Sequence, residues 1–219
     1  MSSDDGTLRL GPSDSESKAI CVFIHGRGQS PEEMQSRVVA RLSARSVTFV
    51  LPRAPRGAWW DARAVDPLTP VARTQLSDAL DHLAAVMAAA RAAAPRQPML
   101  LAGFSQGACL AIEYLCAGLP PPDAVAALTG CRIGVPADGR SAFAPAGTPV
   151  YLSGGDADPW IPLSAFADAT QSLGARGLKL RADLFPGRAH EVSDAEIGML
   201  DAILVDLAAG RPPTMGADR

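Results

Sequence analysis

A chain of 219 residues, 47% hydrophobic and 20% charged, can bury its own core as one large domain or two small ones. Its net charge of −3, with Lys18 and Lys179 as the only lysines and no basic run, argues against a nucleic-acid binder. Residues 1–18 lack the apolar core of a secretory leader, and no apolar stretch reaches the ~18 residues that span a bilayer. Cys21, Cys109, Cys116 and Cys131 form no C-x-x-C pair and read as reduced core thiols, so the expectation is a soluble cytoplasmic protein with no membrane span.

Along the chain, apolar runs of strand length alternate with helical patterns. The strand candidates are Ile20–Ile24, Val47–Leu51, Met99–Gly103, Ala124–Thr129, Val150–Ser153 and Lys179–Phe185. Most are near-continuous apolar runs, as suits strands covered on both faces. Between them, Ser30 with Glu33 reads as a capping box, Pro31 stands at the first helical position, and the helix is expected to carry Val38, Val39 and Leu42. Further helices are expected over residues 70–94, from Ser105 to Cys116, from Pro162 to Gly174, and from a second capping box at Ser193 and Glu196. Alternating strands and helices predict an α/β fold with a mostly parallel central sheet flanked by helices. Residues 1–18 are expected to be a flexible N-terminal segment, 19–210 a single domain and 211–219 a flexible tail. Residues 52–69 and 131–149 are Pro/Gly-rich loops of that domain, with no separate lid domain.

The segment MLLAGFSQGACLAIEYL carries the chemistry. Gly103-Phe104-Ser105-Gln106-Gly107 fits G-x-S-x-G between an apolar strand and a helix, the context of a nucleophile elbow. A serine hydroxyl needs a base to take its proton, and imidazole is the usual one. Of the three histidines, His82 sits mid-helix, and His25 precedes the serine in the chain. The order Ser…Asp…His therefore selects His190, in the loop before the last helix. Asp156 and Asp158 could each hold the imidazole; the pattern G-x-x-D-x-x-[VI]-P from Gly155 to Pro162 selects Asp158 and leaves Asp156 a turn role. Asp183 and Asp194 are weaker candidates. The oxyanion donors are expected to be the backbone N–H groups of Gln106 and of Arg27 in His25-Gly26-Arg27-Gly28.

HGRG, PRAPRGAWWD, GFSQG, GGDADPWIP and GRAHEVS, in this order over residues 19–209, resemble the phospholipase/carboxylesterase family of α/β-hydrolases. That family includes acyl-protein thioesterases and small bacterial carboxylesterases. Arg27 and the early helix start look more like the bacterial members. The resemblance implies an α/β-hydrolase fold with Ser105, Asp158 and His190 as catalytic residues. It also implies oxyanion N–H groups at Arg27 and Gln106, and a substrate cleft formed by His25, Gly26, Trp59, Trp60 and Trp160. It implies a small-molecule ester as substrate, no cofactor and no metal; a homodimer is compatible with it. The activity expected is hydrolysis of short-to-medium acyl esters. Thioesters, lysophospholipids and lactones are alternatives, and a binding protein with an idle triad disagrees with the full set of motifs. Arg27, Arg53 and Arg56 either bias the site toward anionic substrates or are solvated loop arginines.

Overall fold

Seven strands build one sheet in the order β1-β3-β2-β4-β5-β6-β7, in a computed structural model that describes residues 6–141 and 143–216. The strands are β1 (Leu8–Leu10), β2 (Ala19–Ile24), β3 (Val47–Leu51), β4 (Met99–Phe104), β5 (Ala124–Leu128), β6 (Pro149–Gly155) and β7 (Lys179–Phe185). Every pairing is parallel except β1 with β3, which is antiparallel. Strands β2 to β6 are buried along their whole length, in keeping with their near-continuous apolar runs.

Successive side chains of a strand feed two separate cores. Ile20, Val22 and Ile24 join a cluster with residues of α2 (Pro70–Ala93), α3 (Gln106–Cys116) and α4 (Leu163–Gly174). Cys21 and Phe23 join Met34 of α1 (Pro31–Arg37) and Leu200 and Leu204 of α5 (Asp194–Ala208) on the other face. Helix α3 is buried at every position, which explains a sequence with no polar stripe. All four cysteines are free and buried. Among the described residues, no helix is long and apolar enough to cross a membrane.

Three local expectations change. The leader read as flexible contributes β1, and residues 211–216 are pinned: Thr214 N–H donates to Asp206 Oδ2, Arg181 Nη1 donates to Met215 O, and Met215 is buried. Neither segment has an apolar run long enough to announce itself, because each is held by backbone and ion-pair contacts. The helix expected to reach Leu42 stops at Arg37, where Val38 leaves helical geometry and a single 3-10 turn, Val39–Arg41, follows. Its N-cap is half a box: Ser30 Oγ accepts from Glu33 N–H, whereas the box at Ser193 and Glu196 closes in both directions. Edge strand β7 is only part-buried, unlike the runs at the centre of the sheet.

Candidate active site

The sheet presents its candidate site residues at one end, just beyond the C-terminal ends of β2, β4, β6 and β7. Crevices of open parallel sheets lie at that end. Between β4 and α3, Ser105 takes φ 56° and ψ −120°, a conformation non-glycine residues rarely adopt. The turn is possible because its neighbours lack side chains. A Cβ on Gly103 would lie 2.5 Å from the Gly107 carbonyl carbon, and one on Gly107 would lie 2.2 Å from Ile24 O. Backbone therefore passes directly against backbone, and the Ser105 side chain is thrust out over the sheet.

His190 meets it there. Its Nε2 is 2.7 Å from Ser105 Oγ and its Nδ1 is 2.7 Å from Asp158 Oδ2. An ionised carboxylate only accepts, so Nδ1–H donates to Asp158 and Nε2 is left to accept from the serine hydroxyl. Asp158 is itself fixed, because its Oδ1 accepts from the N–H groups of Trp160 (2.7 Å) and Ile161 (3.0 Å). The imidazole also packs on the Phe104 ring, with centroids 5.1 Å apart. Asp156, the rival carboxylate, instead accepts from Gly187 N–H at 2.6 Å and shapes the turn ahead of His190. Asp183 pairs with Arg181 and Asp194 with Arg41, so neither approaches the imidazole.

A phospholipase/carboxylesterase family model matches residues 9–205. The chain belongs to that family. A phospholipase/carboxylesterase from Dyadobacter fermentans has 27% identity, a TM-score of 0.80, and coverage of 91% of this chain and 95% of its own. Esterase PE8 has 23% identity and a TM-score of 0.77, over 91% and 97% of the two chains. Acyl-protein thioesterase 2 of Zea mays shares the fold at 18% identity and a TM-score of 0.72, over 92% and 98%. No curated protein matches the sequence significantly. As a member of the phospholipase/carboxylesterase family, the chain is a carboxylesterase-type hydrolase built as an α/β-hydrolase domain.

A cleft of about 370 Å³ opens over Ser105 and His190. Trp60, Cys109 and Ile161 give it an apolar wall, Trp160 stands 60% exposed at its rim, and Arg27 and Arg63 face it. Gln106 and Arg27 both border the cleft, and among the described residues their backbone N–H groups have no internal hydrogen-bond partner. The Arg27 side chain is turned to the carbonyls of Asp61 and Ala62.

Of the five residues expected to line the cleft, Trp60 and Trp160 do and His25, Gly26 and Trp59 do not. His25 is 1% exposed, with both ring nitrogens committed. Ala54 N–H donates to Nε2 at 3.0 Å, and Nδ1–H donates to Gly26 O at 2.7 Å. Burial pushes its pKa below the ordinary 6.5. Trp59 spends its indole N–H on His25 O (2.9 Å) and stacks near the His25 ring. Gly26 donates to Gln29 Oε1. The hydrogen bonds of these three residues hold the loop that carries Arg27.

The Gln106 side chain also has a role the motif did not disclose. Its Oε1 accepts from Trp59 N–H and its Nε2 donates to Trp60 O, so one buried amide clamps the two-tryptophan segment. Arg53 pairs with Glu32 and, like Arg56, lies outside the cleft; Arg63, paired with Asp66, borders it instead. Cys109 could have been found from spacing, since it stands one turn into α3 from Ser105, whose carbonyl accepts its N–H at 3.0 Å.

Proposed function

We propose that the chain is a serine carboxylesterase that cleaves short-to-medium acyl esters through an acyl-enzyme, with Ser105, His190 and Asp158 as its catalytic residues. The observation that carries this reading is the unbroken hydrogen-bonded chain from Ser105 Oγ through His190 to Asp158, at 2.7 Å per link. In the first step Ser105 Oγ bonds to the ester carbonyl carbon while its proton passes to His190 Nε2. Asp158 stabilises the imidazolium. The carbonyl oxygen becomes an oxyanion, and the N–H groups of Arg27 and Gln106 are the donors available to it.

Collapse breaks the ester bond, and His190 returns its proton to the departing alkoxide. His190 then takes a proton from water as that water attacks the acyl-serine. A second collapse frees the carboxylic acid, and His190 gives that proton to Ser105 Oγ, which restores the serine hydroxyl.

The modest cleft supports the acyl range, since about 370 Å³ lies at the small end of the ~300–1,000 Å³ usual for ligand clefts. The apolar wall of Trp60, Cys109 and Ile161 suits an alkyl chain. Four buried free thiols are compatible with a cytoplasmic setting. Hydrolysis of p-nitrophenyl esters from acetate to palmitate tests the reading. We expect kcat/KM to peak within the shorter half of the series and to vanish in Ser105→Ala. A steady rise to palmitate contradicts the acyl range, and an active Ser105→Ala contradicts the mechanism.

A further inference from the structure

His190 is carried by an exposed loop between β7 and α5, and one buried side chain in that loop braces it. Arg188 is two residues before His190, and its side chain is 6% exposed. Its Nη1 serves three acceptors: Glu196 Oε2 at 2.9 Å, Thr129 Oγ1 at 2.8 Å and the carbonyl of Glu191. The last contact folds the guanidinium back onto the residue that follows His190. The histidine is thereby spanned from both sides by a single side chain.

The anchor behind this brace is fully enclosed. The side chain of Glu196 is 0% exposed and accepts from Arg188, from Ser193 N–H (2.7 Å) and Oγ–H (2.8 Å), and from Ser153 Oγ–H. Ser153 Oγ in turn accepts from Thr129 N–H at 3.1 Å. Thr129 holds φ 58°, a left-handed conformation costly for a β-branched residue, and it brings both its N–H and its hydroxyl into the network. Strands β5 and β6, helix α5 and the His190 loop therefore meet at one buried ion pair.

We propose that Arg188, anchored by Glu196, is a positioning residue for His190. This role rests on the reading of His190 as the base. The pair touches neither substrate nor Ser105; it sets the backbone from which the imidazole reaches Ser105 and Asp158. Displacing a catalytic group by ~1 Å can cost about 10²-fold in rate, so a brace on the loop becomes a rate effect. Buried ion pairs also allow a clean separation of roles. Removing one partner strands the other charge, whereas replacing both by apolar residues is often tolerated by the fold.

The test compares wild type with Arg188→Met/Glu196→Gln, which removes both charges and keeps an amide oxygen for the Ser193 and Ser153 donors, reading thermal melting, kcat and KM for p-nitrophenyl butyrate, and the second-order rate of reaction with a fluorophosphonate. We expect the double variant to melt near wild type with KM little changed, while kcat and fluorophosphonate reactivity fall by about 10²-fold. Arg188→Lys, whose single ammonium can serve the three acceptors of Nη1, is expected to recover most of that loss.

A double variant that melts as wild type and keeps wild-type kcat overturns the proposal. Should the double variant unfold, Thr129→Val decides it, because it removes one acceptor of the guanidinium and leaves the Arg188–Glu196 pair in place. A lowered kcat at fixed KM in folded Thr129→Val supports the brace, and wild-type kcat there overturns it. A wild-type protein inert to ester and fluorophosphonate overturns the serine-hydrolase reading along with the brace. An active wild type beside an unaffected double variant overturns the brace alone.

Discussion

On the Arg27 side of Ser105 the supporting contacts are neutral, and on the His190 side they are charged. His25, Gly26, Gln29, Trp59 and the Gln106 amide tie the Arg27 loop together through backbone carbonyls, backbone N–H groups and side-chain amide and ring groups. The His190 loop hangs instead on Asp158 and on the buried Arg188–Glu196 pair. The division matches what each side would do in the proposed reaction. Backbone donors need only be held still, so neutral hydrogen bonds suffice on that side. A base that becomes a cation in every cycle is stabilised by a fixed carboxylate, which in turn commits that side to buried charge.

The largest expected effect breaks the charged side. Asp158→Asn preserves shape but presents an N–H where His190 needs an acceptor, so kcat for p-nitrophenyl butyrate is expected to fall about 10⁴-fold. Steady-state kinetics check this, and a loss of less than tenfold would move the orienting role elsewhere.

The next breaks the neutral side. Gln106→Leu strands Trp59 N–H and Trp60 O in the interior, and each buried orphan costs ~1–3 kcal/mol. Denaturant unfolding is expected to show a loss of roughly 2–4 kcal/mol. An unchanged midpoint would mean that the clamp holds nothing.

A smaller effect sharpens the comparison through pH. His25 is buried and neutral, its pKa pushed below 6.5 by desolvation, while in the unfolded chain it titrates normally. As pH falls through about 6.5 the unfolded state binds a proton that the folded state refuses. Stability is therefore expected to decline on that side of the curve, and His25→Gln is expected to flatten the decline. A His25→Gln curve parallel to wild type between pH 7 and 5 would contradict the neutral assignment.

The smallest effect is expected at Arg27 itself. Arg27→Ala keeps the N–H and removes only an exposed side chain turned to the carbonyls of Asp61 and Ala62, so its stability change should stay within about 0.5 kcal/mol. Unfolding measurements check it, and a large loss would make those side-chain contacts structural anchors.

These contrasts also mark what could be read in advance. Ser105, Asp158 and His190 were legible because each sits in a short motif whose chain order and flanking strand are local properties. The central strands were legible because burial on both faces leaves a near-continuous apolar run. Arg188 was not, since a loop arginine beside glycine and alanine looks solvated, and only the approach of β5 and α5 encloses it. His25 and Trp59 were read as cleft residues because a motif gives proximity to a site without giving direction. Strand β1 was missed because three residues beside a polar leader carry no periodicity, and pairing with β3 alone makes them a strand.

The central claim is that Ser105 is a nucleophile activated by His190. It is tested most directly by treating wild type, Ser105→Ala and His190→Ala with a fluorophosphonate and mapping the adduct by peptide mass spectrometry. One adduct on Ser105 in wild type, none in Ser105→Ala and a reaction slowed by orders of magnitude in His190→Ala is the predicted result. An adduct elsewhere, or labelling of His190→Ala at the wild-type rate, would contradict it.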